Sequence, residues 1–202
     1  MDDSDDNATP QELFEMIGND PAAWAGRAEA LLTSADLLRA QYPHVPEDDP
    51  DAFWEFLKLH TVAMMLKGMA VESLLKAIWI ARVSSLVIDG KFRSVPGTKD
   101  HDLLSLIRVL EGHVDIGLSR EEVELLPVLS FAITSGRYPV SKSLNTKPAK
   151  PEWMERMKWC RWRIPEDDAR FLSIVAKLYR QINKDLQPDS SASGGGHAGA
   201  DA

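Results

Sequence analysis

Hydrophobic residues dominate the chain from residue 53 to residue 83, a stretch without proline and with a single glycine, Gly68. They fall on every face of the helix that this pattern predicts, which is typical of a helix enclosed by neighbouring elements. Three charged residues, Lys67, Glu72 and Lys76, interrupt its centre. Because each would cost about 2.5–3.5 kcal/mol at the centre of a bilayer, the pattern predicts the central helix of a globular bundle rather than a membrane span.

Two amphipathic helices are predicted on either side of this long helix. Asp20 and Pro21 are typical of a helix start, and an apolar face follows at steps of four and three: Trp24, Ala28, Leu31, Ala35 and Leu38. Near the other end of the chain, acidic residues after Pro165 open a helix. Its apolar stripe consists of Phe171, Ile174, Val175, Leu178 and Ile182.

Shorter elements are predicted between residues 84 and 136. Residues 84–88 form a possible short strand, and the pairs Asp89-Gly90 and Pro96-Gly97 are typical of turns. A short helix is predicted to begin at residues 101–103 and to end at Gly112. No internal repeat is visible.

A capping box at Ser119 and Glu122 predicts the start of the next helix. Its apolar face contains Leu126, Leu129 and Ile133. Pro127 is expected to kink this helix, and Gly136 is expected to end it. The segment that follows is predicted to be a loop with one short helix at residues 152–162.

The pattern as a whole predicts an all-α bundle of five or six helices around the long central one. With 202 residues, 44% of them hydrophobic, the chain can bury one core, so a single domain is expected at residues 11–186. The acidic residues 1–10 and the Gly- and Ser-rich residues 187–202 are expected to be disordered.

Charge is unevenly distributed along the chain. The formal net charge is −8, yet residues 137–163 contain eight Lys or Arg and two Glu, a local charge of +6. Within residues 147–163, Trp153, Trp159 and Trp162 alternate with the cations, so this segment either stacks bases and binds phosphate or forms a helix with its tryptophans packed inward. The single cysteine, Cys160, excludes an intramolecular disulfide framework. The acidic N-terminus lacks a signal-peptide pattern, and a cytoplasmic protein is expected.

Candidate chemistry is limited to a few polar residues. The five histidines have no metal-ligand spacing, and no Gly-rich phosphate loop is present, so neither a metal nor a cofactor is expected. Glu72 and Lys76 share a helix face and form either a structural ion pair or a ligand contact. The two residues His101 and Asp102 either cap a helix or contact RNA or a nucleotide. For Arg137 the alternatives are a salt bridge to Glu72 or Asp102 and a phosphate contact, and Tyr138 follows as a helix stop.

Four short motifs, in order, resemble those of bacterial HEPN-domain proteins. They are Glu72-Ser73-Leu74-Leu75-Lys76 on the central helix, Gly97-Thr98-Lys99-Asp100-His101-Asp102-Leu103, Leu118-Ser119, and Gly136-Arg137-Tyr138-Pro139. The resemblance covers roughly residues 22–185. It implies a compact antiparallel helical bundle that commonly forms homodimers.

Many HEPN-domain proteins are metal-independent ribonucleases, often toxins paired with a nucleotidyltransferase antitoxin or components of phage-defence systems. Their catalytic signature is an Arg followed after four to six residues by a His. Arg137 matches the Arg, but Lys142, Ser143 and Leu144 occupy the positions where the His would stand.

The resemblance therefore implies a catalytically degenerate protein that binds RNA or a nucleotide. The charges of the central helix argue against association with a membrane. The expected binding residues are Glu72, Lys76, His101, Asp102, Arg137 and Tyr138. Two alternatives remain open. One is an active ribonuclease that uses Arg137 with His101, and the other is a purely structural dimerisation or partner module.

Overall fold

The long apolar stretch forms one 33-residue helix in the computed structural model, which describes residues 8–42, 48–137 and 166–184. The elements are α1 (Pro10–Gly18), α2 (Pro21–Ala40), α3 (Pro50–Arg82), β1 (Val87–Ile88), β2 (Lys91–Phe92), α4 (Leu103–Glu111), α5 (Arg120–Val123), α6 (Leu126–Arg137) and α7 (Glu166–Asn183). The predicted all-α helical bundle is confirmed, with one two-stranded hairpin added to it.

Helix α3 is the centre of the bundle. Asp49 caps its N-terminus by accepting hydrogen bonds from the backbone N–H groups of Asp51 and Ala52, so the helix begins three residues earlier than predicted. From Ala63 to Trp79, 13 of the 17 positions are buried, and the polar residues Lys67, Glu72 and Ser73 are among them. Helices α2, α4, α6 and α7 pack around it.

Gly68 allows α6 to approach α3 closely. A Cβ atom added at Gly68 would lie 2.7 Å from Ile133 Cγ1 and 2.8 Å from the backbone oxygen of Leu129. The second contact cannot be relieved by rotating a side chain. Residue 68 must therefore be a glycine for α6 to pack at this distance from α3.

The predicted starts of α2 and α7 are also confirmed. Asp20 accepts hydrogen bonds from the N–H groups of Ala22 and Ala23, and α7 begins immediately after Pro165 with three acidic residues in its first turn. All five residues of the predicted apolar stripe on α7 are buried. Local capping and helical periodicity were sufficient to place both helices.

A hairpin follows α3. Residues Val87 and Phe92 pair across it, and Asp89 and Gly90 form its turn with φ angles of 54° and 67°. A two-residue turn with both φ angles positive matches the right-handed twist of the strands. The strand predicted at residues 84–88 is thus present as β1, whereas its partner β2 was not predicted.

Helix α1 was not predicted: the first helix was expected to start at Asp20 and Pro21, and residues 1–10, which include Pro10 of α1, were expected to be disordered. Thr9 and Glu12 form a capping box at its start, and Pro10 is its first residue. No residue of α1 is buried. Asn19, directly after the helix, holds this region to the hairpin by accepting from the N–H groups of Leu86 and Val87.

The prediction of one kinked helix after Ser119 was wrong. The capping box of Ser119 and Glu122 is present, but it opens the four-residue helix α5, and α6 begins separately. Pro127 is the second residue of α6, where no intrahelical partner exists for its missing N–H. Gly136 does not end α6, which reaches Arg137. The helix predicted at residues 152–162 lies outside the described residues.

Replacing Gly68 with Ala should destabilise the protein by about 1–3 kcal/mol, the range seen when well-packed cores are overfilled. The matched control is Gly26→Ala in α2, where nothing lies within 4 Å of the added Cβ and the change should stabilise by about 0.5–1 kcal/mol. Urea denaturation of the three proteins measures both effects. Equal shifts of the same sign would contradict close packing at Gly68.

Candidate functional site

Three of the predicted site residues meet beside α3. The Lys76 ammonium lies 2.6 Å from Glu72 Oε1, and His101 Nδ1 lies 2.9 Å from Glu72 Oε2. All three side chains are at least half-buried, and the Glu72 side chain is only 11% exposed. One buried carboxylate therefore holds two basic groups from separate parts of the chain.

Local structure fixes the position of His101. It precedes α4 with a φ angle of 64°, a left-handed conformation that costs a non-glycine residue about 1–3 kcal/mol. The next residue, Asp102, caps α4 by accepting from the N–H of Ser105 at 3.0 Å. Leu103 N–H donates to Ser130 Oγ on α6 at 3.0 Å. The start of α4 is thus tied to α6, and this attachment places the His101 ring against Glu72.

Electrostatics keep Glu72 ionised. Burial raises the pKa of its carboxyl, but the Lys76 ammonium and the hydrogen bond with His101 outweigh burial and hold the pKa below its usual value of 4.5. At neutral pH the site therefore contains a carboxylate and an ammonium. The hydrogen bond to the carboxylate also orients the imidazole, as in sites where a carboxylate positions a basic His.

Two aromatic rings lie next to the ion pair. Lys76 Nζ is 5.4 Å from the ring centroid of Trp24 and 5.2 Å from that of Phe92, within the range of cation–π attraction. The two rings are 5.9 Å apart and inclined at 33°. Helix α2 and the hairpin therefore supply the aromatic side of the site, and α3 and the residue before α4 supply its charged side.

A cavity of about 360 Å³ opens on the aromatic side of this cluster. Its walls include Glu72, Lys76 and His101, together with Phe14, Trp24, Arg27, Met69 and Phe92. On the loop side, the same three residues and Asp102 border a much smaller cavity of about 20 Å³, enough for one water molecule. Of these two cavities, the larger has room for an organic ligand.

The six predicted binding residues thus have different outcomes. Glu72, Lys76 and His101 are brought together, and Asp102 lies beside them with its carboxylate engaged in capping α4. Arg137 is the last residue of α6, and its side chain, like the whole of Tyr138, lies outside what the structure describes. Trp24, Arg27 and Phe92 were not predicted as site residues. The three-residue spacing of Trp24 and Arg27 places them on one face of α2. No sequence pattern around Phe92 indicates that the hairpin brings this residue to the site.

A second polar cluster surrounds the third charge of α3. Asp168 on α7 contacts Lys67 Nζ at 3.0 Å and Arg39 Nη1 at 2.6 Å. His60 lies nearby, with its ring stacked on Phe56 at 5.3 Å. Burial, reinforced by Lys67 and Arg39 and opposed by Asp168, lowers the pKa of His60 to about 4. This cluster joins α2, α3 and α7.

In comparisons with known proteins, no family model, no curated protein and no solved structure matches the chain. Within the described ranges, no helix is long and apolar enough to cross a bilayer. The same residues contain no group of three or more His, Cys, Asp or Glu placed to hold a metal ion.

Replacing Glu72 with Gln should destabilise the protein at pH 7 by about 3 kcal/mol, the lower end of the loss expected when a buried pair is broken. Because folding lowers the pKa of Glu72 from 4.5, the carboxylate contributes stability above that pH and loses it as the pH falls below. The difference between wild type and variant, measured by urea unfolding, should therefore shrink below pH 4.5. Glu124→Gln, which alters an exposed pair with Arg120, is the control and should change stability little.

Replacing His60 with Phe should remove part of the pH dependence of folding. The folded-state pKa of about 4 lies below the ordinary value of 6.5, so the unfolded chain binds a proton that the folded chain excludes. Wild type should consequently lose about 2 kcal/mol between pH 7 and pH 5 through this group. The free energy of unfolding of the variant, measured by urea denaturation at the same pH values, should fall by about 2 kcal/mol less. Identical losses in both proteins would contradict a neutral His60.

Proposed function

We propose that this chain is a HEPN-like helical protein that binds RNA or a nucleotide and is catalytically degenerate, acting within a toxin–antitoxin or phage-defence type module. The observation that carries the proposal is the meeting of Glu72, Lys76 and His101 at the wall of a cavity of about 360 Å³. These residues come from two of the four motifs on which the HEPN resemblance depends. The helical bundle is consistent with the same family.

The composition of the cavity supports recognition of a base. Trp24 and Phe92 present aromatic surface beside an ion pair, and aromatic side chains stack on bases without depending on their sequence. The strained backbone of His101 is a second support. Conformations of this kind cluster at functional sites, where the surrounding structure maintains them.

The absence of a His at residues 142–144 supports the non-catalytic form of the proposal. Cleavage of RNA through attack by the 2′-hydroxyl needs a group that accepts and donates protons. In the family signature that group follows the Arg along the chain. Here Arg137 is followed by Lys142, Ser143 and Leu144 at those positions.

A second candidate function is an active metal-independent ribonuclease that uses His101 with Arg137. The observation in its favour is the hydrogen bond of 2.9 Å between His101 Nδ1 and the Glu72 carboxylate. A carboxylate in this position orients an imidazole. A third candidate is a structural dimerisation or partner module, in which the same polar contacts serve only the fold.

Under the first proposal, we expect the protein to form a homodimer and to bind a nucleotidyltransferase-type partner protein.

Binding of a fluorescent single-stranded RNA and of nucleoside monophosphates, titrated at low salt, tests the proposal. We expect saturable binding of at least one of these ligands and a loss of affinity of about tenfold in Lys76→Met, because a charged hydrogen-bonding group is removed. Arg120→Gln, which removes an exposed cation elsewhere, should retain wild-type affinity. No binding at high protein concentration would count decisively against the proposal.

An RNA cleavage assay separates the first candidate from the second. Under the degenerate form, wild type, His101→Ala and Arg137→Ala should show the same background cleavage. Cleavage by wild type that is lost in both variants would instead establish the ribonuclease. If neither binding nor cleavage is found and the variants lose only stability, the structural module is favoured.

A further inference from the structure

The cavity beside the Glu72 cluster contains two aromatic rings that differ in exposure. Trp24 is held in place because its Nε1–H donates to the backbone oxygen of Gly18 at 2.9 Å. Phe92, on the second strand of the hairpin, contacts Trp24 but is 45% exposed. Much of the Phe92 ring therefore remains in water, and a planar ligand in the cavity would bury it.

The charged groups of the cavity also differ in availability. Lys76 is engaged with Glu72 at 2.6 Å and with the two rings. Arg27 lies one helical turn after Trp24 on α2, is exposed, and has no ion pair or hydrogen bond of its side chain among the described residues. Apart from His101, the lining contains two cations, Lys76 and Arg27, and one carboxylate, Glu72. The cavity is thus electropositive in a chain whose net charge is −8, and Arg27 is its available anion-binding group.

The size of the cavity limits what it can hold. Its volume of about 360 Å³ is near the lower end of the roughly 300–1,000 Å³ typical of small-molecule sites. That space accommodates one ring system and one attached anionic group. A run of several nucleotides, as bound by open grooves on single-strand-binding proteins, would have to extend beyond it.

We infer that this cavity binds a single small ligand in which a planar ring is linked to an anionic group, with Phe92 and Trp24 contacting the ring and Arg27 contacting the anion. This inference rests on the proposed function, because it assumes that the Glu72 cluster borders a binding site. It assigns roles to Trp24, Arg27 and Phe92, and it selects a small ligand over a polymer. The chemistry is shared by nucleoside monophosphates and by aromatic carboxylates.

Calorimetric titration with AMP, adenosine and ribose 5-phosphate tests the two halves of the site separately. AMP should bind more tightly than either fragment. Arg27→Gln should weaken AMP about tenfold, the loss expected for a charge-assisted contact, and leave adenosine within about twofold. Phe92→Leu should weaken AMP and adenosine alike by at least about fivefold, as expected for a stacked ring.

Two exposed residues outside the cavity provide matched controls. Arg120→Gln removes an 87% exposed cation, and Trp54→Leu removes a 55% exposed ring. Neither should change the affinity for AMP. Since Arg27 and Phe92 are themselves exposed, their variants should fold, and a thermal melt verifies this before titration.

Parallel titrations with indole-3-acetate and with a single-stranded RNA distinguish the remaining outcomes. If indole-3-acetate binds with the same dependence on Arg27 and Phe92 and AMP does not, the ring-plus-anion chemistry is supported with a carboxylate as its source. If RNA binds while both small ligands fail, or if the variants leave AMP binding unchanged, the inference is overturned and the proposed function stands. If nothing binds, both are overturned.

Discussion

A carboxylate buried in the middle of the central helix must be paired, and the pairing of Glu72 determines how the elements around it are arranged. An unpaired buried charge costs several kcal/mol, which is a large part of the net stability of a domain. Lys76, one turn further along α3, supplies one partner locally. His101 is the second partner of Glu72, and the loop that contains it must pack against α3 to make this contact. The position of α4 and the left-handed backbone at His101 are consistent with this requirement.

The three charges of α3 are satisfied at two separate places along its length. Lys67 meets Asp168 and Arg39, which joins α3 to α7 and α2. Glu72 and Lys76 pair with each other further along α3, on the side where α2, α4 and the hairpin pack. Between them lies Gly68, where α6 comes too close for any larger residue. Charge pairing and close packing therefore both join α3 to its neighbours at defined positions along its length.

Local signals in the sequence were sufficient for much of the fold. The caps at Asp20 and Ser119 and the apolar stripe of α7 were predicted from neighbouring residues, and the structure contains all three. One of the failures also has a local cause. Proline in the first turn and proline in the middle of a helix look alike in sequence, so Pro127 was assigned to the wrong position. Helix α1 was missed although local signals for it are present, namely a capping box at Thr9 and Glu12 and apolar residues at Leu13, Phe14 and Ile17.

The candidate site was only half predictable for a different reason. Glu72 and Lys76 are four residues apart, and their pairing follows from helical geometry. The contacts of His101 with Glu72 and of Lys67 with Asp168 join residues 29 and 101 positions apart, and no periodicity specifies such partners. The aromatic side of the cavity depends on where the hairpin places Phe92. The aromatic side of the cavity can therefore be identified only from the three-dimensional arrangement of α2, α3 and the hairpin.

A structural ion pair and a binding site make different demands on the surrounding structure, and this region has features of both. A purely structural pair is best surrounded by packed apolar side chains, because exclusion of water strengthens the attraction. Here the pair borders a cavity of about 360 Å³, while Phe92 and Arg27 beside it remain exposed. The presence of this cavity next to the left-handed backbone of His101 is consistent with the proposed ligand site.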